Sequence, residues 1–296
     1  MSTSHLDKLN AAISNPKCPA KDRRLLQESL RHYGDWVRHT RALTSTGRRR
    51  VDEMVAHLNQ YKNALEVELI AKRGSDFLKR QKGQLKLDNS VIEEFLPMLV
   101  CSDIIKGLNH ARFTCGPQQA FMSLSFMPQS FDDLGKTPRV VLKVKDQDFA
   151  IGSAVHYKFS ATADFQTSDT RSGDFALAVL AAECKVNLDK TMFQEAAGTA
   201  ARLKQGCPIA KYYVIIEYLD MTAEDPRLTA IDNVFLLRKT RRLPFDKRSD
   251  AAEVERQHME YPISADVVWR FVQEIQGFVD AVWYDPEDAL RRGTFV

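Results

Sequence analysis

Apolar positions recur at intervals of three and four over the first part of the chain. They fall at Leu25, Leu26, Leu30, Tyr33, Trp36 and Val37, and again at Val51, Met54, Val55, Leu58, Tyr61, Leu65 and Leu69, a spacing that predicts amphipathic helices. A further helix is expected to open at Asp88 or Asn89, either of which can cap it. It continues through Val91, Ile92, Phe95, Leu96 and Leu99, with Pro97 bending it. Residues 111–137 show neither periodicity and read as irregular. From Arg139 the period becomes two, and the polar Asp146-Gln147-Asp148 breaks the alternation before Phe149–Phe159 resumes it, which predicts a hairpin. A polar loop from Ser160 to Gly173 leads into Phe175–Ala182, a continuous apolar run of the kind that fills a strand buried on both faces. Asp189 then caps a helix with a small-residue face (Ala196, Ala197, Ala200, Ala201) ending at Gly206, and Tyr212–Leu219 is another buried strand. A strand at Val234–Leu237, a basic loop, and a long amphipathic helix from Ser264 to about Trp283 complete the chain. This order implies an α/β fold, a mixed sheet with helices against it, preceded by a helical region at residues 1–110.

Composition changes this picture in one respect. Of 296 residues 44% are hydrophobic and 27% charged, with a net charge of only +3, as expected of a globular chain. The charge is uneven, however. Residues 1–82 carry 17 Lys+Arg against 9 Asp+Glu, so a basic front joins a mildly acidic body and an anionic polymer is a candidate partner. No apolar stretch approaches the roughly 20 residues that a membrane helix needs, so no membrane partner and a cytosolic location are expected. The five cysteines include no CxxC pair, which argues against a disulfide framework or structural zinc, and the seven histidines show no metal spacing. There is no GxSxG, no phosphate-cradling glycine loop and no dinucleotide fingerprint, which lowers the serine hydrolase, kinase and dehydrogenase readings.

The chemistry concentrates at Glu183-Cys184-Lys185, where the apolar strand ends in charge. Residues two apart on a strand share a face, so carboxylate and ammonium project together. Such a pair suits metal-assisted phosphodiester hydrolysis: Mg²⁺ takes oxygen ligands, and Lys185 could orient water and offset transition-state charge. A second carboxylate must reach the same ion, with Asp148, Asp164, Asp169 and Asp174 within range in sequence. On one uninterrupted strand Asp174 would lie ~30 Å from Glu183, and nothing in Phe175–Ala182 offers a turn. Asp148, across an antiparallel pairing, is therefore preferred, with Asp174 in reserve.

Asp148-Phe-Ala-Ile followed by Glu183-Cys-Lys185 resembles the PD-(D/E)xK nuclease pattern, with Gln147 where that family often has Pro. Three blocks in order, Phe77 to Pro97, Lys145 to Ile151 and Glu183 to Glu195, are similar to type II restriction endonucleases of the Bpu-ten-I (Bpu10I) group, related to BbvCI and DdeI. The resemblance implies a restriction-endonuclease-like core over residues 111–296 and catalytic roles for Asp148, Glu183 and Lys185, with Mg²⁺ as cofactor. It also implies sequence-specific double-strand cleavage of DNA by a homodimer or by a heterodimer with a second nuclease subunit, in a bacterial cytoplasm. A Glu on the helix before the sheet supports the metal in many such nucleases, and Glu94 is ranked above Glu93 for that role. Arg48, Arg49 and Arg50, and Arg238, Lys239, Arg241 and Arg242, are the candidate DNA contacts, with Lys79, Arg80, Lys82 and Lys86 as a third cluster. The helical region is expected to share in DNA contact and dimerisation. The rival readings are a non-catalytic DNA-binding protein on the same fold and a PD-(D/E)xK repair nuclease of low specificity.

Overall fold

The computed structural model describes residues 3–79, 87–108, 113–281 and 285–294. Helices α1 (Ser4–Ser14), α2 (Ala20–Arg41) and α3 (Gly47–Lys62) come first, and α3 runs on as a π-helical segment, Asn63–Ala71. Helix α4 (Asn89–Leu99) opens on Asp88, whose side chain accepts from the Asn89 N–H, and Pro97 is accommodated in its last turn. The sheet comprises β1 (Thr114–Phe126), β2 (Val140–Ser160), β3 (Thr170–Leu188), β4 (Lys211–Leu219) and β5 (Asn233–Arg241), with α5 (Lys190–Gly206) crossing from β3 to β4. Helices α6 (Ala251–Glu260), α7 (Ala265–Asp280) and α8 (Pro286–Arg292) follow. No described helix is long and apolar enough to cross a membrane.

The strands lie in sequence order. β1–β2 and β2–β3 are antiparallel, while β3–β4 and β4–β5 are parallel. Alternation sorts the strand residues onto two apolar layers. Phe149, Leu180, Ala182, Cys184, Tyr213 and Ile215 face the N-terminal helices and α7, in one core that reaches from Leu9 to Ile275. Ala150, Ala181, Tyr212, Val214 and Ile216 face α5, whose Ala196 and Ala200 let it approach closely. The helical front is thus packed on the sheet and shares its core.

Several expectations are corrected. Residues 111–137 are not irregular throughout: β1 occupies Thr114–Phe126, and only scattered positions in it are buried, so no alternation marks it. The hairpin expected after Arg139 is one long strand, because β2 serves two partners, pairing β1 over Val140–Gly152 and β3 over Phe149–Ser160. The basic loop after Leu237 is mostly strand. Between the pairs Ile216↔Leu236 and Tyr218↔Thr240, β5 has two residues more than β4, and the bulge places Lys239 at φ 51° with Arg238 turned inward. The polar loop is also shorter than expected, since β3 begins at Thr170, and the last helix of the sheet layer ends at Asp280; Trp283 lies outside the described residues.

Candidate active site

The site forms where β2 leaves β3 for β1. The last ladder pair between β2 and β3 is Phe149↔Ala182, so one step further Asp148 and Glu183 stand across from each other without a backbone pairing. On its other side Asp148 lies in a bulge. Between Gly116↔Ala150 and Gln118↔Gln147, β2 has one residue more than β1, and the β1 residue there is Pro117, which has no N–H to donate. The Cys184 N–H, without β2 as a backbone neighbour, donates instead to Asp148 Oδ2 at 2.8 Å. The splayed ladder thus holds a carboxylate in place of a peptide carbonyl.

Alternation along β3 turns Glu183 and Lys185 toward the α5 face and Cys184 into the opposite core. Lys185 Nζ lies 2.8 Å from Glu183 Oε1, and the Tyr212 hydroxyl donates to Glu183 Oε2 at 3.1 Å, so each carboxylate oxygen has its own donor. Tyr212 is 1% exposed, and its backbone N–H is fixed by Asp232 at 2.7 Å. Burial and the charges of Glu183 and Asp148 hold the Tyr212 hydroxyl far above its ordinary range, so it remains a neutral donor. For Lys185 burial acts downward, but Glu183 and Asp148 outweigh it and the ammonium is held above the usual lysine value. The Cys184 thiol is pushed well up by burial and by neighbouring carboxylates, led by Asp148, and stays protonated. Asp148, Glu183, Lys185 and Tyr212 line a cavity of about 430 Å³ that Gln119 and Lys145 also border.

The other sequence candidates are dispersed. Asp174 pairs with His156, nine residues up the same uninterrupted strand and therefore ~30 Å from Glu183, and Asp164 and Asp169 lie beyond the far end of that ribbon. Glu94 does not belong to this cavity. Its Oε2 accepts from the His5 and Leu6 N–H groups at 2.9 and 3.3 Å and its Oε1 from the Tyr33 hydroxyl at 2.5 Å, so it caps the positive end of α1. Glu93 is the carboxylate of that helix whose charge reaches Cys184, and it is bound by Lys8 at 3.0 Å and Asn89 at 2.8 Å.

Among the arginines, Arg238 is a correction: it is 1% exposed, donates to Glu217 Oε2 at 2.9 Å and to the Tyr261 carbonyl at 3.1 Å, and cannot touch DNA. Arg48 bridges Asp52 and Asp266, Arg49 pairs with Glu53, and Arg50 donates to the carbonyls of Leu43 and Ser45. Arg242 is bound to Asp220, while Lys239 and Arg241 are exposed at the bulged end of β5. Lys79 borders a separate cavity with Arg248 and Tyr218; Arg80, Lys82 and Lys86 lie outside the described residues. Sequence reasoning does not single out Tyr212. Its signal is parity: Glu183 pairs in parallel with Val214, and Tyr212 lies two residues before Val214 on the same face.

As a donor set, Asp148 and Glu183 offer hard carboxylate oxygens and no thiolate or imidazole. Among the described residues no group of three or more His, Cys, Asp or Glu is placed to hold a metal ion. That set fits Mg²⁺, which takes one or two carboxylates, keeps several waters and completes its shell with substrate phosphate.

A family model described as Bpu10I restriction endonuclease matches residues 84–295. A chain of the native BbvCI A2B2 tetramer superposes with a TM-score of 0.66 at 17% identity, covering 96% of this chain and 100% of its own. No curated protein sequence matches the chain.

Proposed function

The chain belongs to the Bpu10I restriction endonuclease family, and on that footing we propose that it makes Mg²⁺-dependent, sequence-specific double-strand cuts in DNA through Asp148, Glu183 and Lys185. The observation that supports this assignment is their convergence in one cavity, with Asp148 bound to the Cys184 N–H and Lys185 to Glu183.

Asp148 and Glu183 would hold the ion. Bound Mg²⁺ supplies Lewis-acid polarisation of the phosphate and a lowered pKa for its water. The chain's own part is positional. The Cys184 N–H fixes the Asp148 carboxylate, and the Tyr212 hydroxyl fixes one oxygen of Glu183. Lys185, held cationic, is no proton acceptor at neutral pH; its ammonium donates to the attacking water and to the phosphate oxygen that gains charge. One such cavity cleaves one strand, so a double-strand cut requires two centres. BbvCI assembles as A2B2, which favours a second, unlike subunit over a second copy of this chain.

The test is incubation of the purified protein with unmethylated phage DNA, with and without Mg²⁺, beside the Lys185→Ala variant. Discrete Mg²⁺-dependent fragments from the wild type, and bound but uncut DNA with the variant, are expected. Nicked plasmid without linear product would mark one half of a two-subunit enzyme. A smear would indicate a low-specificity nuclease, and DNA bound but uncut by the wild type with either candidate partner would refute catalysis.

A further inference from the structure

Of the basic residues that stand out in the sequence, Arg238 is buried and Arg48, Arg49 and Arg242 are paired with carboxylates, while Lys239 and Arg241 lie exposed at the end of β5. Beside the catalytic cavity lies a second one of about 540 Å³, and the two share Val144 and Lys145 as a common wall. Its remaining lining comes from Leu142 and Lys143 of β2, from β1 and from Thr199, Arg202 and Gln205 of α5. The pair makes one trough on the α5 face of the sheet. Among the described residues, Lys143, Lys145 and Arg202 form no ion pair and no side-chain hydrogen bond, and all three are exposed. Arg48, Arg49, Arg238 and Arg242 are each held by carboxylates. Cations spaced along a trough suit a sugar–phosphate backbone, whose charge repeats along one edge.

Resting on the nuclease reading above, we propose that this trough carries the phosphodiester backbone of the cleaved strand to one side of the scissile phosphate, with Lys143, Lys145 and Arg202 contacting successive phosphates. Lys143 and Lys145 lie two residues apart on a strand, ~6.7 Å along it. The contact is to backbone, so it adds affinity on any duplex and does not read sequence.

The experiment measures binding of wild type and of Lys143→Ala/Lys145→Ala/Arg202→Ala to duplexes that carry or lack the mapped cleavage site. Ca²⁺ replaces Mg²⁺, and salt is varied from 50 to 300 mM. The three side chains are exposed, so the variant should fold as the wild type does, and circular dichroism checks it. The variant should bind both duplexes at least tenfold more weakly, with the log–log salt slope shallower by about 0.9 for each phosphate that is no longer neutralised. In Mg²⁺ it should cut more slowly at unchanged sites. An unchanged slope in a protein whose wild type binds and cuts DNA overturns the trough alone. Weaker binding confined to the site-bearing duplex overturns the backbone assignment in favour of base reading. An equal weakening in Lys17→Ala/Lys21→Ala/Arg24→Ala, which removes the same charge near α2, reduces the effect to net charge and also overturns it. A wild type that binds no DNA removes the nuclease reading and this one together.

Discussion

Arg238 offers the sharpest separation of a structural cation from a DNA contact. It belongs to a cluster in which Lys62, Glu66, Glu217 and Arg238 are each no more than 1% exposed, two cations against two anions. Lys62 Nζ lies 2.5 Å from Glu66 and 2.6 Å from Glu217, and His258 Nε2 stands 3.4 Å from the second oxygen of Glu66. The cluster joins α3, β4, β5 and α6. Arg238→Met removes one cation, keeps most of the volume, and leaves Lys62 to face two buried carboxylates. Removing one partner of a buried ion pair costs about 3–5 kcal/mol, because the remaining charge stays desolvated. At roughly 2–4 °C per kcal/mol for a chain of this size, the melting midpoint should fall on the order of 10 °C. Thermal unfolding followed by circular dichroism at pH 7 measures it. Arg238→Met/Glu217→Leu restores charge balance and should recover much of the stability. At 20 °C the single variant should keep the wild-type salt dependence of DNA binding. A midpoint within 2 °C of wild type, together with a shallower salt slope, would refute the reasoning and return Arg238 to the DNA.

Tyr212→Phe deletes only the donor to Glu183. A hydrogen bond to a charged group is worth about 1.5–3 kcal/mol, so the Mg²⁺ concentration for half-maximal cleavage should rise tenfold or more, and calorimetric titration of Mg²⁺ should weaken in parallel; an unchanged midpoint counts against a positioning role. Asp148→Asn should cost orders of magnitude in cleavage rate and Asp174→Asn less than twofold, and the reverse order would reassign the second carboxylate. His5 supplies a pH dependence. Burial, with the charges of Lys62 and Lys8 adding, lowers its imidazole from 6.5 to about 3. Between those values the unfolded chain binds a proton that the folded chain does not, so stability falls as the pH drops below 6.5, by about 2 kcal/mol at pH 5. His5→Gln should flatten the difference between urea midpoints at pH 7 and pH 5, and identical slopes in both proteins would exclude His5 as the source.

What could be read from the sequence follows from how far each feature depends on neighbours distant in the chain. Helices α2, α3 and α4 declare themselves because a helix carries its periodicity within itself. Strand β3 shows as an apolar run, and Glu183 with Lys185 shows as charge at its end. Strand β1 does not show, because its curled edge position buries few residues and its bulges interrupt alternation. Gln147 sits in a polar tripeptide that reads as a turn, yet it is 4% exposed within a continuous strand. Charge patterning cannot distinguish a solvated arginine from a buried one. The partner of Arg238 is Glu217 on the next strand, and only the bulge in β5 brings the two together.

The bulges also explain why the site can be held while the sheet around it is distorted. Strand β2 serves both β1 and β3, and between Ile151↔Leu180 and Gly152↔Ala178 β3 takes one extra residue. Gly152 allows this, since a Cβ there would strike the Leu177 carbonyl. The outer ribbon of β2 and β3 can therefore vary without shifting Phe149↔Ala182, the pair that sets Asp148 opposite Glu183. A slip of one residue at that pair would turn Asp148 to the other face of the sheet. Register at this pair sets the geometry of the cavity, whereas register beyond Gly152 does not reach it. A residue inserted in the loop after Ser160 should thus leave the cavity intact, whereas one inserted between Gln147 and Phe149 should displace Asp148 and abolish cleavage.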